Sequence, residues 1–266
     1  MPRYPKSFSA PSSIQGVFGI IKPVGLHSNT CVKIIKREVN ARLECKLGVG
    51  HGGSLDPFAT GVLAIGIGRG CKSLTDFLKG DKEYTVKGKL GQATDTQDVT
   101  GGVVNQTGFD HVTQDLLVQH LTNFKGKIMQ TPPAYSAIRV NGVRSYSAAR
   151  KGLEFEIQPR EVFVKDIELL TFEPPFFELK MSVSSGTYVR TIVHDLGIQM
   201  NTYAHAVELD RRRVGIIKAE DCLQLESQWR DPDEIIEAMK RCERLEKEEK
   251  EKKILRDFNK MFPMIK

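Results

Sequence analysis

Hydrophobic positions change their period several times along the chain, and each change predicts an element. "GVFGIIKP" (16–23) is a continuous apolar run that reads as a buried strand stopped by Pro23. Val32, Ile35 and Val39 recur at helical spacing behind Ser28, which predicts a helix with Ser28 as its cap. "GVLAIGIG" (61–68) reads as a central strand, followed by a helix with Leu74, Phe77 and Leu78 inward. Tyr84, Val86, Gly88 and Leu90 alternate with polar neighbours, a half-buried strand. Leu117, Leu121 and Phe124 mark a helix within 113–124, and Asn141-Gly142 signals a type I′ hairpin. Two strands, 160–172 and 176–183, flank Pro174-Pro175. The pattern then predicts a helix at 191–200, a strand over 204–215 ending in a basic turn, and a charged helix over 234–258. Strands come as hairpin-like neighbours with helices between them. That is an α+β chain with a mostly antiparallel or mixed sheet flanked by helices, not regular βαβ winding.

Composition narrows the class. The chain has 266 residues, 40% hydrophobic and 27% charged, enough for a large core. Residues 1–15 are rich in Pro and Ser and read as a disordered segment. They contain no apolar region of a signal peptide, and no apolar run approaches about 18 residues, so no membrane partner is expected. Five scattered cysteines without a C-x-x-C pair point to a reducing compartment and away from structural zinc. Nucleus or cytoplasm is expected, with a short organellar presequence and a mitochondrion left open. Net charge is +6, and residues 231–266 carry ten basic and ten acidic side chains, so the whole excess lies upstream. A basic globular body suggests a polyanionic partner.

"GVGHGGSLDP" (48–57) matches G-x-G-x-x-G, the pattern of a dinucleotide loop. Its surroundings do not. "NARLECKL" is too charged for the buried strand that should precede it, and Pro57 drives Asp56 away from helical angles where a helix should begin. Position 73 offers no acidic residue. "GIGRGCKS" (66–73) misses the phosphate-loop spacing by one residue at Cys71. What remains is an irregular glycine-rich loop presenting His51 and Asp56. "DTQDVTG" (95–101) lacks the sixth-position Gly and the distal Glu of a calcium loop, and the histidines show no zinc spacing. No metal and no cofactor are expected.

"GHGGSLDPFATGVLAIGIG" resembles the signature of the TruB family of pseudouridine synthases, G-H-x-G-[ST]-L-D-P-x-A-x-G-V-L. Four further segments are similar to that family in the same order: "KPVGLHS" (22–28), "EYTVKGKLGQATDTQDVTG" (83–101), "PPAYSAIRVNGVRSY" (132–146) and "SSGTYVRTIVHDLG" (184–197). His27 and Arg139 depart from the usual residues, and Gly52 resembles stand-alone eukaryotic members. The resemblance implies the pseudouridine synthase fold, with an active-site cleft across the sheet, over residues 16–230; the residues of 231–266 read as a charged helical tail outside it. The resemblance also implies isomerisation of uridine to pseudouridine in RNA, at position 55 of the tRNA T-loop, without cofactor. Asp56 is then the nucleophile, Arg190 its cationic partner, and Tyr84 the aromatic residue over the uracil. His51, Tyr188, Leu209 and Lys22 are then substrate-binding residues. Tyr188 and Arg190, two apart in a stretch read as extended, would face the same side. Lys and Arg over 125–165 and Arg211-Arg212-Arg213 are candidates for phosphate contacts. The partner implied is tRNA, with mRNA as an alternative, and the chain is expected to be a monomer. A guide-RNA-directed, dyskerin-like enzyme is a rival, but only about 50 residues follow Arg213, too few for the PUA domain of that branch. An RNA chaperone without catalysis is the other rival, and it predicts damage at Asp56, Tyr84 or Arg190, which are all intact.

Overall fold

The computed structural model describes residues 14–140, 142–153 and 155–261. Asn141, half of the expected turn pair, lies outside the described residues, as do 1–13 of the expected disordered segment. The chain forms two compact units, one from residues up to Leu78 together with Arg213 onwards, the other from Lys79 to Arg212.

The first unit begins with strand β1 (Gly16–Lys22), helix α1 (Ser28–Arg42), strand β2 (Val49–His51), strand β3 (Thr60–Ile67) and helix α2 (Leu74–Lys79), at whose end the chain leaves it. β1 and β2 both pair antiparallel with β3, with Ile20 opposite Leu63 and His51 opposite Ile65. β3 is buried along nearly its whole length because both faces are covered, so its sequence is a continuous apolar run rather than an alternation. α1 turns Cys31, Val32, Ile35 and Val39 into the core, as its spacing predicts, but Ser28 does not cap it. His27 is the N-cap residue, without a side-chain cap bond. In α2, Leu74 and Phe77 are buried, while Leu78 is exposed, contrary to its expected inward placement. Ile14 is 1% exposed in this core, so order extends upstream of the expected boundary at residue 16.

The second unit is built on strand β4 (Lys82–Leu90), whose Lys82, Tyr84, Val86, Gly88 and Leu90 alternate inward. A small hairpin follows, β5 (Gln92–Thr94) with β6 (Val103–Gln106), then helix α3 (Gln114–Leu121), capped by the Thr113 hydroxyl accepting the Leu116 N–H. Strand β7 (Gly126–Gln130) leads to the short hairpin β8 (Arg139–Val140) and β9 (Val143–Arg144) and helix α4 (Ser145–Ala149). Long strands β10 (Arg160–Glu173) and β11 (Phe176–Val183) precede helix α5 (Val189–Gln199) and strand β12 (Ala204–Val214). The order in this unit is β12-β4-β11-β10-β7, with β4–β11, β11–β10 and β10–β7 antiparallel. The antiparallel pairing is as expected, but of these pairs only β10–β11 is a hairpin of sequence neighbours; β4 with β11 and β7 with β10 are joined over long connections.

Within β12 the chain returns to the first unit, adds strand β13 (Ile217–Lys218) and ends in helix α6 (Pro232–Met261). α6 is polar over most of its surface, yet Ile235, Ala238, Met239 and Cys242 lie at 0–4% exposure. They fall on one stripe against Ile14, Phe18, Ile35 and Trp229, or against Val17 and Cys222. Beyond Leu245 the helix is solvated, with Ile254 and Leu255 exposed. Met239→Ala is expected to cost about 2–5 kcal/mol in urea unfolding, while Leu255→Ala costs less than about 0.5 kcal/mol. Equal effects at the two positions would show that α6 is not part of the core.

Candidate active site

The first unit holds Asp56 in a short loop between β2 and β3. The Gly52 N–H donates to the Ala64 carbonyl at 2.9 Å, extending the pairing with β3. A Cβ at Gly52 would stand 2.8 Å from the Phe77 Cβ, which leaves no room for a side chain. Gly53, at φ +118°, then turns the chain away from the sheet into a conformation that disfavours L side chains. Three groups of the segment Lys22–Ser28 hold the loop that follows. The Ser28 hydroxyl accepts the Leu55 N–H at 2.9 Å and donates to the Leu55 carbonyl at 3.2 Å. The Gly25 N–H donates to the Pro57 carbonyl at 2.7 Å. The Lys22 ammonium, 0% exposed, donates to the carbonyls of Pro23, Leu26 and Pro57. The residues on both sides of Asp56 are therefore fixed through their main chain, and the Ala59 N–H closes a turn on the Asp56 carbonyl at 3.1 Å. Asp56 itself is half-buried.

The second unit holds a buried guanidinium. Arg190 is 3% exposed; its Nη1 donates to Asp98 Oδ2 at 2.9 Å and its Nη2 to the Tyr135 carbonyl at 2.6 Å. Asp98 is 2% exposed, and its other oxygen accepts the Thr96 hydroxyl, the Thr100 N–H and the Thr100 hydroxyl at 2.8, 2.9 and 2.5 Å. An ionised carboxylate can be buried when both oxygens are this fully bonded. The Arg190 guanidinium carbon lies 5.8 Å from the centre of the Tyr188 ring, and that of Arg160 lies 5.4 Å from it. Tyr84 on β4 and Leu209 on β12 are buried at 8% and 6% exposure.

Cationic character continues on β4 and β12. Lys82, on the same face as Tyr84, is 6% exposed, and Arg211 is 2% exposed. Burial, and then the charge of Arg211, lower the Lys82 pKa to about 8, against a smaller opposing effect of Asp81. On α5, burial raises the Asp195 pKa from 3.8 to about 6.

The sequence profile of the TruB family pseudouridylate synthases (N terminal domain) matches residues 27–189. The chain belongs to the TruB family. It is 39% identical to the pseudouridylate synthase TRUB1 of Mus musculus over 259 residues, covering 93% of this chain and 76% of that one. It is 38% identical to the tRNA pseudouridine synthase B of Clostridium tetani over 214 residues, covering 80% of this chain and 72% of that one. Among solved structures, a chain of a Cbf5-Nop10-Gar1 complex is similar at a TM-score of 0.63 and 26% identity, covering 85% of this chain and 60% of that one. The fold is thus that of the pseudouridine synthases.

Against this TruB-family frame, several sequence expectations need correction. His51 is not in an irregular loop; it ends β2, half-buried. The Lys22 ammonium, expected at the substrate, is buried and donates to three main-chain carbonyls. Tyr188 and Arg190 do not share one face of a strand. β11 ends at Val183, Gly186 at φ +83° turns the chain, and Tyr188 is the N-cap residue of α5, with Arg190 in its first turn. The two side chains still meet, by a helical route. Arg211 is buried and therefore no surface phosphate contact, Arg212 pairs with Asp210, and Arg213 donates to the Gly215 carbonyl. Asp98 was invisible as a site residue in the sequence, where "DTQDVTG" only invited a metal reading. The usable signal was its three hydroxyl-bearing neighbours Thr94, Thr96 and Thr100, short side chains suited to bonding a carboxylate or a carbonyl nearby.

A lysine at position 190 keeps the charge but not the planar two-pronged geometry. Arg190→Lys is expected to lower stability by about 1–3 kcal/mol, since either Asp98 Oδ2 or the Tyr135 carbonyl loses its donor; an unchanged melting curve would contradict that geometry. Asp195 makes a separate prediction. Its folded pKa lies above its unfolded one, so its contribution is complete below about pH 4 and lost as pH rises through about 6. Asp195→Asn is therefore expected to stabilise the protein at pH 7.5 by something of the order of 2 kcal/mol and to give no gain near pH 4. A gain independent of pH would refute this.

Proposed function

We propose that this chain isomerises uridine to pseudouridine in tRNA, at position 55 of the T-loop, as a stand-alone monomer with Asp56 as nucleophile. In the reaction the N1–C1′ bond breaks, the uracil turns, C5 bonds to C1′, C5 loses a proton and N1 gains one. Atoms and electrons balance without any co-reactant. The names of the relatives support the reaction and the RNA class.

The observation that carries the assignment of the nucleophile is the fixed backbone on both sides of Asp56. Asp98 has four donors on its two oxygens and almost no exposure, which suits it to holding Arg190. Asp56 is half-buried, on a loop whose backbone is held from both sides. A fixed backbone suits a nucleophile, because the reacting group is positioned before substrate arrives. Arg190 supplies positive charge, and Tyr84 and Tyr188 supply aromatic surface for a base taken out of its stack. His51 and Leu209 are assigned to substrate contact and Lys22 to support of the loop. Arg139, Arg144, Arg150 and Lys151 are exposed and suit phosphate contacts.

Asp56→Asn tests the reading. Mass spectrometry of tRNA after incubation should detect no pseudouridine, while affinity for tRNA, which rests mainly on phosphate contacts, stays within about threefold. Product at the normal rate from this variant would sink the assignment of the nucleophile. Absence of product from the unaltered protein on uridine-55 tRNA would sink the function itself.

A further inference from the structure

Gln130 has no part in the chemistry above, yet its surroundings single it out. It is the last residue of β7, 2% exposed, and a buried carboxamide is costly unless both of its ends are bonded. Both ends are bonded to one distant residue. Gln130 Oε1 accepts the Tyr188 N–H at 2.8 Å, and Gln130 Nε2 donates to the Tyr188 carbonyl at 3.0 Å, across 58 positions of sequence. The orientation of the amide is unambiguous, because a backbone N–H can only donate and a carbonyl can only accept. The side chain thus does at Tyr188 what one residue of a neighbouring strand would do.

Tyr188 is where the chain must be fixed. It is the N-cap residue of α5, with no side-chain cap bond of its own, and its carbonyl also accepts the first helical N–H, from Ile192 at 3.2 Å. Arg190 follows two residues later. A rotation at Tyr188 would swing the first turn of α5 and with it the guanidinium between Asp98 and Tyr135. The same strand end grips this segment at further points. Five residues after Gln130, the Tyr135 carbonyl accepts Arg190 Nη2. Arg160, paired with Gln130 in the β10–β7 register, donates to the Gly186 carbonyl and lies over the Tyr188 ring. We infer that Gln130 is a positioning residue: its carboxamide sets the start of α5 and thereby the placement of Arg190 and Tyr188 for the isomerisation. This inference rests on the proposed function.

Glutamate at position 130 makes a reversible probe. A protonated carboxyl reproduces the carboxamide, accepting the Tyr188 N–H and donating to its carbonyl. The carboxylate keeps the first bond and turns the second into a repulsion between two acceptors. Burial and that repulsion favour the protonated form, against the pull of the Arg160 and Arg190 guanidiniums beside Tyr188; with burial dominant, the pKa of the new carboxyl should lie above the usual value of about 4.3. The measurement is the single-turnover rate of tritium release from tRNA carrying [5-³H]uridine, at saturating enzyme, for the unaltered protein, Gln130→Glu and Gln130→Met. It spans about pH 5 to pH 8, with tRNA affinity and melting temperature recorded at each pH.

At pH 8 both variants should react about 10- to 100-fold more slowly than the unaltered protein, with affinity for tRNA nearly unchanged. The ratio of the Gln130→Glu rate to the unaltered rate should climb towards one as pH falls, while the Gln130→Met ratio stays flat. Several outcomes overturn the inference: full activity of both variants, a pH-independent Glu ratio, a rate loss that vanishes well below the melting temperature, or failure of both variants to fold. The last two would make Gln130 merely structural. If the unaltered protein releases no tritium, it is the proposed function that fails, not the placement of Arg190.

Discussion

Removing a cation from water costs several kcal/mol unless acceptors are held in place for it. Here Lys22, Lys82, Arg190 and Arg211 are all at 6% exposure or less. Many of the acceptors they use are main-chain carbonyls in loops: Pro23, Leu26 and Pro57 for Lys22, Gly80 for Lys82, Tyr135 for Arg190. The dependence runs both ways. The loops satisfy the cations, and the cations pin loops that no strand ladder reaches. A loop in water is ordinarily the mobile part of a fold. The Asp56 loop and the segment through Tyr135 are exceptions because a buried positive charge stabilises one backbone arrangement over the others.

That constraint also separates what the sequence shows from what it hides. The alternation of Tyr84, Val86, Gly88 and Leu90 is a direct image of strand geometry, and the inward stripe of α1 at Val32, Ile35 and Val39 is equally local. Such features are readable because neighbours in sequence decide them. Ser28 reads as a helix cap because capping preference reflects only nearby N–H groups. Its hydroxyl instead bonds Leu55, 27 residues away, where the loop needs it more. The Tyr188–Arg190 stretch suggested a strand, but Gly186 at a positive φ ended that possibility, and tertiary bonds at Tyr188 decided the helix start.

Asp98 and Gln130 mark the limit of such reading. Gln130 carries no local pattern and Asp98 only its threonine neighbours, and each acquires its meaning from a partner far along the chain, Tyr188 at 58 positions and Arg190 at 92. Family resemblance singles out Arg190 and Asp56 as candidates because motifs preserve the spelling of a site. It does not reveal the Asp98 carboxylate and Tyr135 carbonyl that hold Arg190, or the Ser28 hydroxyl that holds Leu55. The physical rule that would have helped is one of satisfaction: an arginine to be buried requires a carboxylate and a carbonyl, and an aspartate among threonines is a ready candidate for the former.

Charge placement completes the argument for an RNA-facing surface. The overall excess of +6 is modest, and along β7, β10 and the residue before β7 it is largely cancelled locally: Lys125, Lys127 and Lys165 each pair with an acidic side chain. Residues 131–153 differ. They contain Arg139, Arg144, Arg150 and Lys151 and no acidic residue, and all four of these side chains are exposed. Two of the four, Arg139 and Arg144, donate one bond each to a main-chain carbonyl, of Gly142 and Ala137, which orients the guanidinium without neutralising it. α6 has the opposite character, with ten charges of each sign in residues 231–266 and surface pairs such as Lys240 with Glu237 and Arg256 with Glu249. Phosphate attraction depends on cations that can shed their counterions, not on the number of lysines present. By that measure the long basic-looking helix is electrostatically silent, and the short hairpin with α4 is where a polyanion would be drawn.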